Sequence, residues 1–214
     1  MKKILAIILA SLMIFALVAC NETEKETETP TTAPTEAPTE APTEEPTEAP
    51  VVLDYANATE LLTKVWNALS DEYKFMSFGG FMSEMVNNAP GGYPLDNADA
   101  VAELSSMLYF PAEEAGKLVS ASSLLHGMML NNFTCGAYQF ADAETAQAMA
   151  QTLTDAILNA HFMCGFPEKV TTVVAPGNYV IVVIGLGEFC VDPFVEAAVA
   201  AVEGAEVFAD QVIG

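Results

Sequence analysis

The chain has 214 residues and a formal net charge of −22, with 29 acidic residues against 7 basic ones, every one of them lysine. Binding a nucleic acid requires basic side chains that neutralise phosphates, so this balance excludes nucleic-acid partners. The absence of arginine, the preferred planar fork for carboxylates and phosphates, argues against an anionic small-molecule substrate.

The chain opens with Lys2 and Lys3, an apolar run from Ile4 to Val18, and then Leu17-Val18-Ala19-Cys20. A run of about fifteen residues is short of the ~20 that span a bilayer and fits the apolar region of a secretion signal. The order resembles the bacterial lipoprotein signal, cut directly before a cysteine that then carries thioether-linked diacylglycerol or palmitate. Residues 1–19 are therefore expected to be a signal peptide and Cys20 the lipidation site. Two long acyl chains hold a protein stably on a membrane where a single chain does so only marginally. Anionic headgroups repel so acidic a chain, which leaves the membrane contact to the lipid on Cys20.

Residues 20–50 form the lipidated cysteine and a spacer. Thr35-Glu36-Ala37-Pro38 repeats as Thr39-Glu40-Ala41-Pro42 and again, slightly varied, up to Pro50. Frequent proline and like charge oppose a packed core and favour an extended chain, whose thirty residues could reach up to ~90 Å at ~3.1 Å each. The spacer reads as a stalk or a passive linker.

One domain is expected over residues 51–214. Asn57-Ala58-Thr59-Glu60 reads as a capping box, with Leu61, Leu62, Val65, Trp66 and Leu69 following at helical spacing, which predicts a helix over 58–72. The segment Phe75, Met76, Phe78, Phe81, Met82 and Met85 around Gly79-Gly80 packs under a sheet or forms an adaptable methionine-rich surface. A second helix is expected over 98–108 behind Asn97, then one short turn over 112–117. Strands follow at 118–125 and 133–140, a helix behind Asp142 over 143–160, and a hairpin of strands 170–175 and 179–184 about Pro176-Gly177-Asn178. The apolar run Tyr179–Ile184 is that of a central strand buried on both faces. Asp192 reads as the cap and Pro193 as the first-turn proline of a last helix that Gly204 stops. The order α-α-β-β-α-β-β-α predicts an α+β fold, an antiparallel sheet of about four strands in two hairpins covered by helices.

The cysteine after the apolar run, the acidic Thr/Pro spacer, strand 133–140, the helix from Asp142 and Gly177-Asn178-Tyr179-Val180-Ile181-Val182-Val183 together resemble a family of uncharacterised Firmicutes lipoproteins sharing a domain of unknown function. The resemblance spans residues 55–186 and departs in the helix 143–160, which has no lysine or arginine. It transfers no catalytic residue.

Few residues suggest chemistry. Cys135, Cys164 and Cys190 lack zinc-type spacing. Joining Cys135 to Cys164 would need Cα atoms within about 7 Å across the ends of a long helix, so free thiols are expected. His161 and Cys164 at i, i+3 form a candidate thiolate pair, but the negative end of a helix opposes a thiolate. His161 is expected to be a cation at that helix end or simply exposed. His126 reads as a surface or capping residue, and Glu113, Glu114, Asp96 and Asp99 as a solvated face without the calcium-loop pattern. Gly185-Leu186-Gly187-Glu188 lacks the third glycine and the lysine of phosphate-binding loops, and is expected to turn the chain.

No catalytic, cofactor-binding or metal-binding residue is expected. The chain reads as a lipid-anchored lipoprotein on the outer face of the bacterial cell membrane, displaying a binding or interaction module whose protein, glycan or small-molecule partner stays open. The alternative is a cell-envelope hydrolase or thiol enzyme. Replacing Cys20→Ala is expected to abolish incorporation of labelled fatty acid into the expressed protein; unchanged incorporation refutes lipidation at Cys20.

Overall fold

The structure, a computed structural model, describes residues 53–74, 78–80, 88–128, 130–163 and 165–214. The signal, Cys20, the spacer, Cys164 and most of the Phe/Met segment at 75–85 lie outside the described residues.

In chain order the elements are α1 (Ala58–Ala68), β1 (Phe78–Gly79), β2 (Gly91–Gly92), α2 (Ala98–Leu108), β3 (Leu118–His126), β4 (Phe133–Phe140), α3 (Ala143–Leu158), β5 (Lys169–Ala175), β6 (Tyr179–Gly185), α4 (Asp192–Ala201) and β7 (Glu206–Val212). Tight 3-10 turns lie at Asp71–Tyr73, Ala112–Lys117 and Leu130–Asn132, and a π-helical turn at Gly187–Val191 leads into α4.

One antiparallel sheet runs β1-β3-β4-β6-β5-β7, with β2 also against β3. Every residue of β6 is buried. Its side chains alternate between two cores, as the pleat requires. Tyr179, Ile181 and Val183 meet α1 and α4 on one face; Val180, Val182 and Ile184 meet α2 and α3 on the other. The result is three layers, helix pair, sheet and helix pair.

The mixed α and antiparallel β architecture matches the expectation, but about four strands in the order α-α-β-β-α-β-β-α does not. The sheet carries seven strands. The principal addition is β7, whose side chains are almost all exposed and which therefore shows no apolar run. It is held by its backbone ladder to β5 and by Lys169, whose ammonium lies 2.7 Å from Asp192 of α4 and 2.8 Å from Asp210 of β7. Strands β1 and β2 are two residues each, glycine-rich, and visible only as partners of β3.

Capping signals place the starts of α1, α2 and α3; α4 has no side-chain cap, since Asp192, expected as its cap, already lies within the helix and gives its carboxylate to Lys169. The Asn57, Asn97 and Asp142 side chains accept N–H groups of the first turns of α1, α2 and α3. Glu60 reaches back one residue further than a capping box requires, to the Ala56 N–H at 2.8 Å. Two helices end early. α1 stops at Ala68 because Leu69 turns extended (ψ 134°) and buries its side chain in the core. α3 stops at Leu158, where the Asn159 side-chain amide donates to the Asp155 carbonyl at 2.8 Å.

Leucine-sized side chains fully buried in such a layer cost about 2–5 kcal/mol when truncated to alanine. Ile181→Ala is expected to lower the unfolding free energy by that amount in urea denaturation, and exposed Val119→Ala by no more than about 0.5 kcal/mol. Equal effects would contradict the buried central strand.

Candidate functional site

The sheet has two unlike ends. At one, Leu118 of β3 pairs Phe140 of β4, and Ala175 of β5 pairs Tyr179 of β6. The first described residues sit here, with Leu53 over Gly177 and the Tyr55 hydroxyl donating to the Pro176 carbonyl at 3.0 Å. At the other end Leu125 pairs Thr134, and Gly185 pairs both Phe133 and Lys169. The β3–β4, α3–β5 and β6–α4 connections meet there, and so does the end of β7, where Val212 pairs Lys169.

A cleft of about 480 Å³ opens at this second end, lined by Ser106, Tyr109, Met128, Leu130, Asn131, His161, Met163 and Gly165. Three separate segments are strapped together beneath it. Tyr109 caps α2 in the left-handed conformation (φ 57°), a geometry few non-glycine residues adopt. Its hydroxyl donates to Asn131 Oδ1 at 3.1 Å, and Asn131 Nδ2 donates to the Gly165 carbonyl at 3.3 Å. The Tyr109 ring meets Phe162 edge-on, centroids 5.1 Å apart. Burial pushes the Tyr109 hydroxyl pKa up, against the opposing pull of Asn131, so the group stays a protonated donor at neutral pH.

Apolar exposure gathers at the same end. Met163 is 92% exposed, Phe166 82%, Val212 81%, Met128 79% and Phe189 65%; the next, Val119, is 55% exposed and lies at the opposite end. Met128 and Met163 among them line the cleft, and exposed apolar side chains beside a cleft mark interaction sites.

The residues singled out from sequence fall in different places. His161 is exposed on the cleft wall. Its suggested partner Cys164 lies outside the described residues, though Met163 and Gly165 on either side line the cleft. His126, expected at the surface, is fully buried beside the cleft end, where β3 passes β1. Its capping role does appear: Nδ1 accepts the Met128 N–H at 3.2 Å. Cys135 and Cys190 are free thiols. Cys135 is buried in β4 facing α1 and α4, and Cys190 is half-buried in the π turn. Burial pushes both thiol pKa values up, assisted at Cys190 by Glu168, away from the reactive thiolate.

Two amides of the Gly185–Glu188 loop are satisfied from within the chain. The Leu186 N–H donates to the Asn132 carbonyl at 3.0 Å, and the Gly187 N–H to Glu168 Oε2 at 2.9 Å. Gly185, at φ 152°, has no room for a side chain, since a Cβ would lie 2.2 Å from the Asn132 carbonyl oxygen. Among the acidic candidates, Glu114 is ion-paired with Lys117. Among the described residues no three His, Cys, Asp or Glu side chains converge as a metal site would require, and no helix is long and apolar enough to cross a membrane.

Sequence reasoning missed Tyr109 and Asn131, the strap of the cleft. They are 22 residues apart and carry no local motif. The hint was Tyr109 directly after an apolar helix without a C-terminal glycine.

Comparison with protein-family models finds no matching family, and comparisons with curated proteins and with solved structures find no match.

Burial holds the His126 imidazole below its ordinary pKa, so the unfolded chain takes up a proton at higher pH than the folded one. The stability carried by the neutral ring is full above the unfolded value of ~6.5 and is lost as pH falls through it toward the folded pKa. The melting temperature is expected to drop between about pH 7.5 and pH 5.5, and to drop less in His126→Asn, which keeps an acceptor for the Met128 N–H. Identical slopes in the two proteins would show that His126 is not buried neutral.

Proposed function

We propose that the protein is a lipid-anchored extracytoplasmic binding module, with the cleft end of its sheet as the ligand surface. Cys20 holds it at the outer face of the bacterial cell membrane and the acidic spacer lifts it away. One observation carries the choice of surface: the most exposed apolar side chains lie at the cleft's end of the sheet, opposite Leu53 and Tyr55, and two of them, Met128 and Met163, line the cleft itself. The volume suits a small apolar ligand or a few side chains of a larger one. The strap Tyr109–Asn131–Gly165 fixes the floor, while unbranched Met128 and Met163 on the wall adapt to shape.

Nile red, a neutral apolar fluorophore, tests the surface without knowledge of the natural ligand. The mature chain is expected to bind it, and the double variant Met128→Asp, Met163→Asp to bind about tenfold more weakly, the factor that ~1.4 kcal/mol of lost apolar contact represents. Both side chains are solvent-exposed, so circular dichroism and the melting temperature are expected to stay unchanged. Unaltered Nile red binding by the folded variant would refute the assignment.

A further inference from the structure

The cleft has a sign as well as a shape. Two helices end at it. α2 stops at Leu108, and its capping residue Tyr109 is part of the wall; α3 stops at Leu158, and His161, two residues past the cap Asn159, is another part. A helix C-terminus carries roughly half a negative charge, which a basic residue in the last turn commonly offsets. Neither helix has a basic residue there. Carboxylates add to this field. Exposed Glu103 lies one turn before Ser106 on α2, and exposed Glu168 and Glu188 lie on the connections at the same end. Within the described lining, His161 is the single side chain able to carry positive charge. The described lysines are committed elsewhere: Lys64 to Asp54, Lys74 to Asp71, Lys117 to Glu114, and Lys169 to Asp192 and Asp210.

We infer that the occupant of this end is a cationic peptide segment with an apolar face. Its apolar side chains seat among Met128, Leu130 and Met163, and its ammonium or guanidinium groups meet the two helix ends and the exposed carboxylates at the same end of the sheet. This rests on the cleft end being the ligand surface. A peptide rather than a small amine follows from the extent of the apolar surface, which includes Phe166 and Phe189 on two separate connections at the same end. Charge disfavours the other occupants. A second copy brings the same net charge of −22 or more, and anionic lipid headgroups are repelled in the same way.

The test titrates the mature chain with three probes: an amphipathic peptide of about eighteen residues built from Lys and Leu, the same peptide with Glu for every Lys, and vesicles of neutral phosphatidylcholine. The Lys/Leu peptide is expected to bind at least about tenfold more tightly than the Glu/Leu peptide, and to weaken as ionic strength rises from about 0.05 M to about 0.5 M. Met128→Asp, Met163→Asp is expected to lose the apolar contact, and Glu103→Gln, Glu188→Gln to lose part of the Lys/Leu preference while retaining Nile red binding. Equal binding of the two peptides, or binding of the vesicles in preference to either, overturns the inference. If Nile red still binds in a manner sensitive to Met128 and Met163 while the Lys/Leu peptide does not bind, the occupant is wrong and the ligand surface stands. If neither binds, both readings fall.

Discussion

The structure depends on covering β6 from both sides. A strand with every side chain buried cannot lie at an edge or face water on either surface. Its ladder must continue on both flanks, which β4 and β5 provide, and each face needs an apolar layer, which α1 with α4 and α2 with α3 provide. Each face also buries a threonine hydroxyl. Thr154 of α3 and Thr172 of β5 share a buried hydrogen bond of 2.7 Å on one side, satisfying hydroxyls that would otherwise cost more than they contribute. On the other side the hydroxyl of Thr171 points toward the sheet edge and donates to Asp210 at 2.7 Å. Once β6 is enclosed, the connections must pass around the ends of the sheet. One end gathers the tight β5–β6 turn and the first residues of the domain; the other gathers the long connections that form the cleft. Rigid layers carrying a site on their loops is a common division of labour.

How legible each part was in the sequence follows from how local its cause is. The starts of α1, α2 and α3 were readable because an Asn or Asp cap acts within three residues of itself. The β5–β6 turn was readable because Gly177 (φ 83°) and Asn178 (φ 66°) are residue types that tolerate the left-handed region. The central strand announced itself through unbroken apolar side chains. β7 left no such mark. Its sequence Glu206-Val207-Phe208-Ala209-Asp210-Gln211-Val212 has one weakly buried position, and its place comes from a partner more than thirty residues away. His126 misled for the same reason. Nothing adjacent to it in sequence tells of burial, which the pairing of β1 with β3 and the layer above supply. The cleft was least legible, because its walls come from three connections and its strap from side chains joined only by the fold.

The edge strand and the charge balance are connected. An exposed edge invites pairing with another chain, and proteins blunt it with charge and irregularity. β7 carries Glu206 and Asp210 and is bulged opposite Thr172–Val173. Its one fixed cation, Lys169, is shared with α4, so a single ammonium anchors the edge strand to both the sheet and a covering helix. Burial opposes charging Lys169, yet its two carboxylates hold its pKa above the ordinary lysine value, and the same contact draws Asp210 below the usual carboxylate range against its own desolvation. The pair is partly exposed, so its worth is that of a screened surface network rather than a buried bridge. The strand is thereby kept in register without an apolar face.

The same scarcity of cations gives the two ends of the molecule different character. Each described lysine is ion-paired on the domain surface, and none stands in the cleft wall. Two helix ends without basic residues and the exposed Met128 and Met163 therefore coincide at the cleft, and exposed Glu103, Glu168 and Glu188 lie at the same end of the sheet. A patch both apolar and negative is costly for a free domain: the apolar part orders water and the negative part repels the rest of the chain's charge. Neither cost is required by the enclosure of β6, since the connections could have been polar and neutral without disturbing a residue of the central strand. Features that the fold does not need, concentrated at the end of the sheet opposite Leu53 and Tyr55, are what the proposed ligand surface rests on.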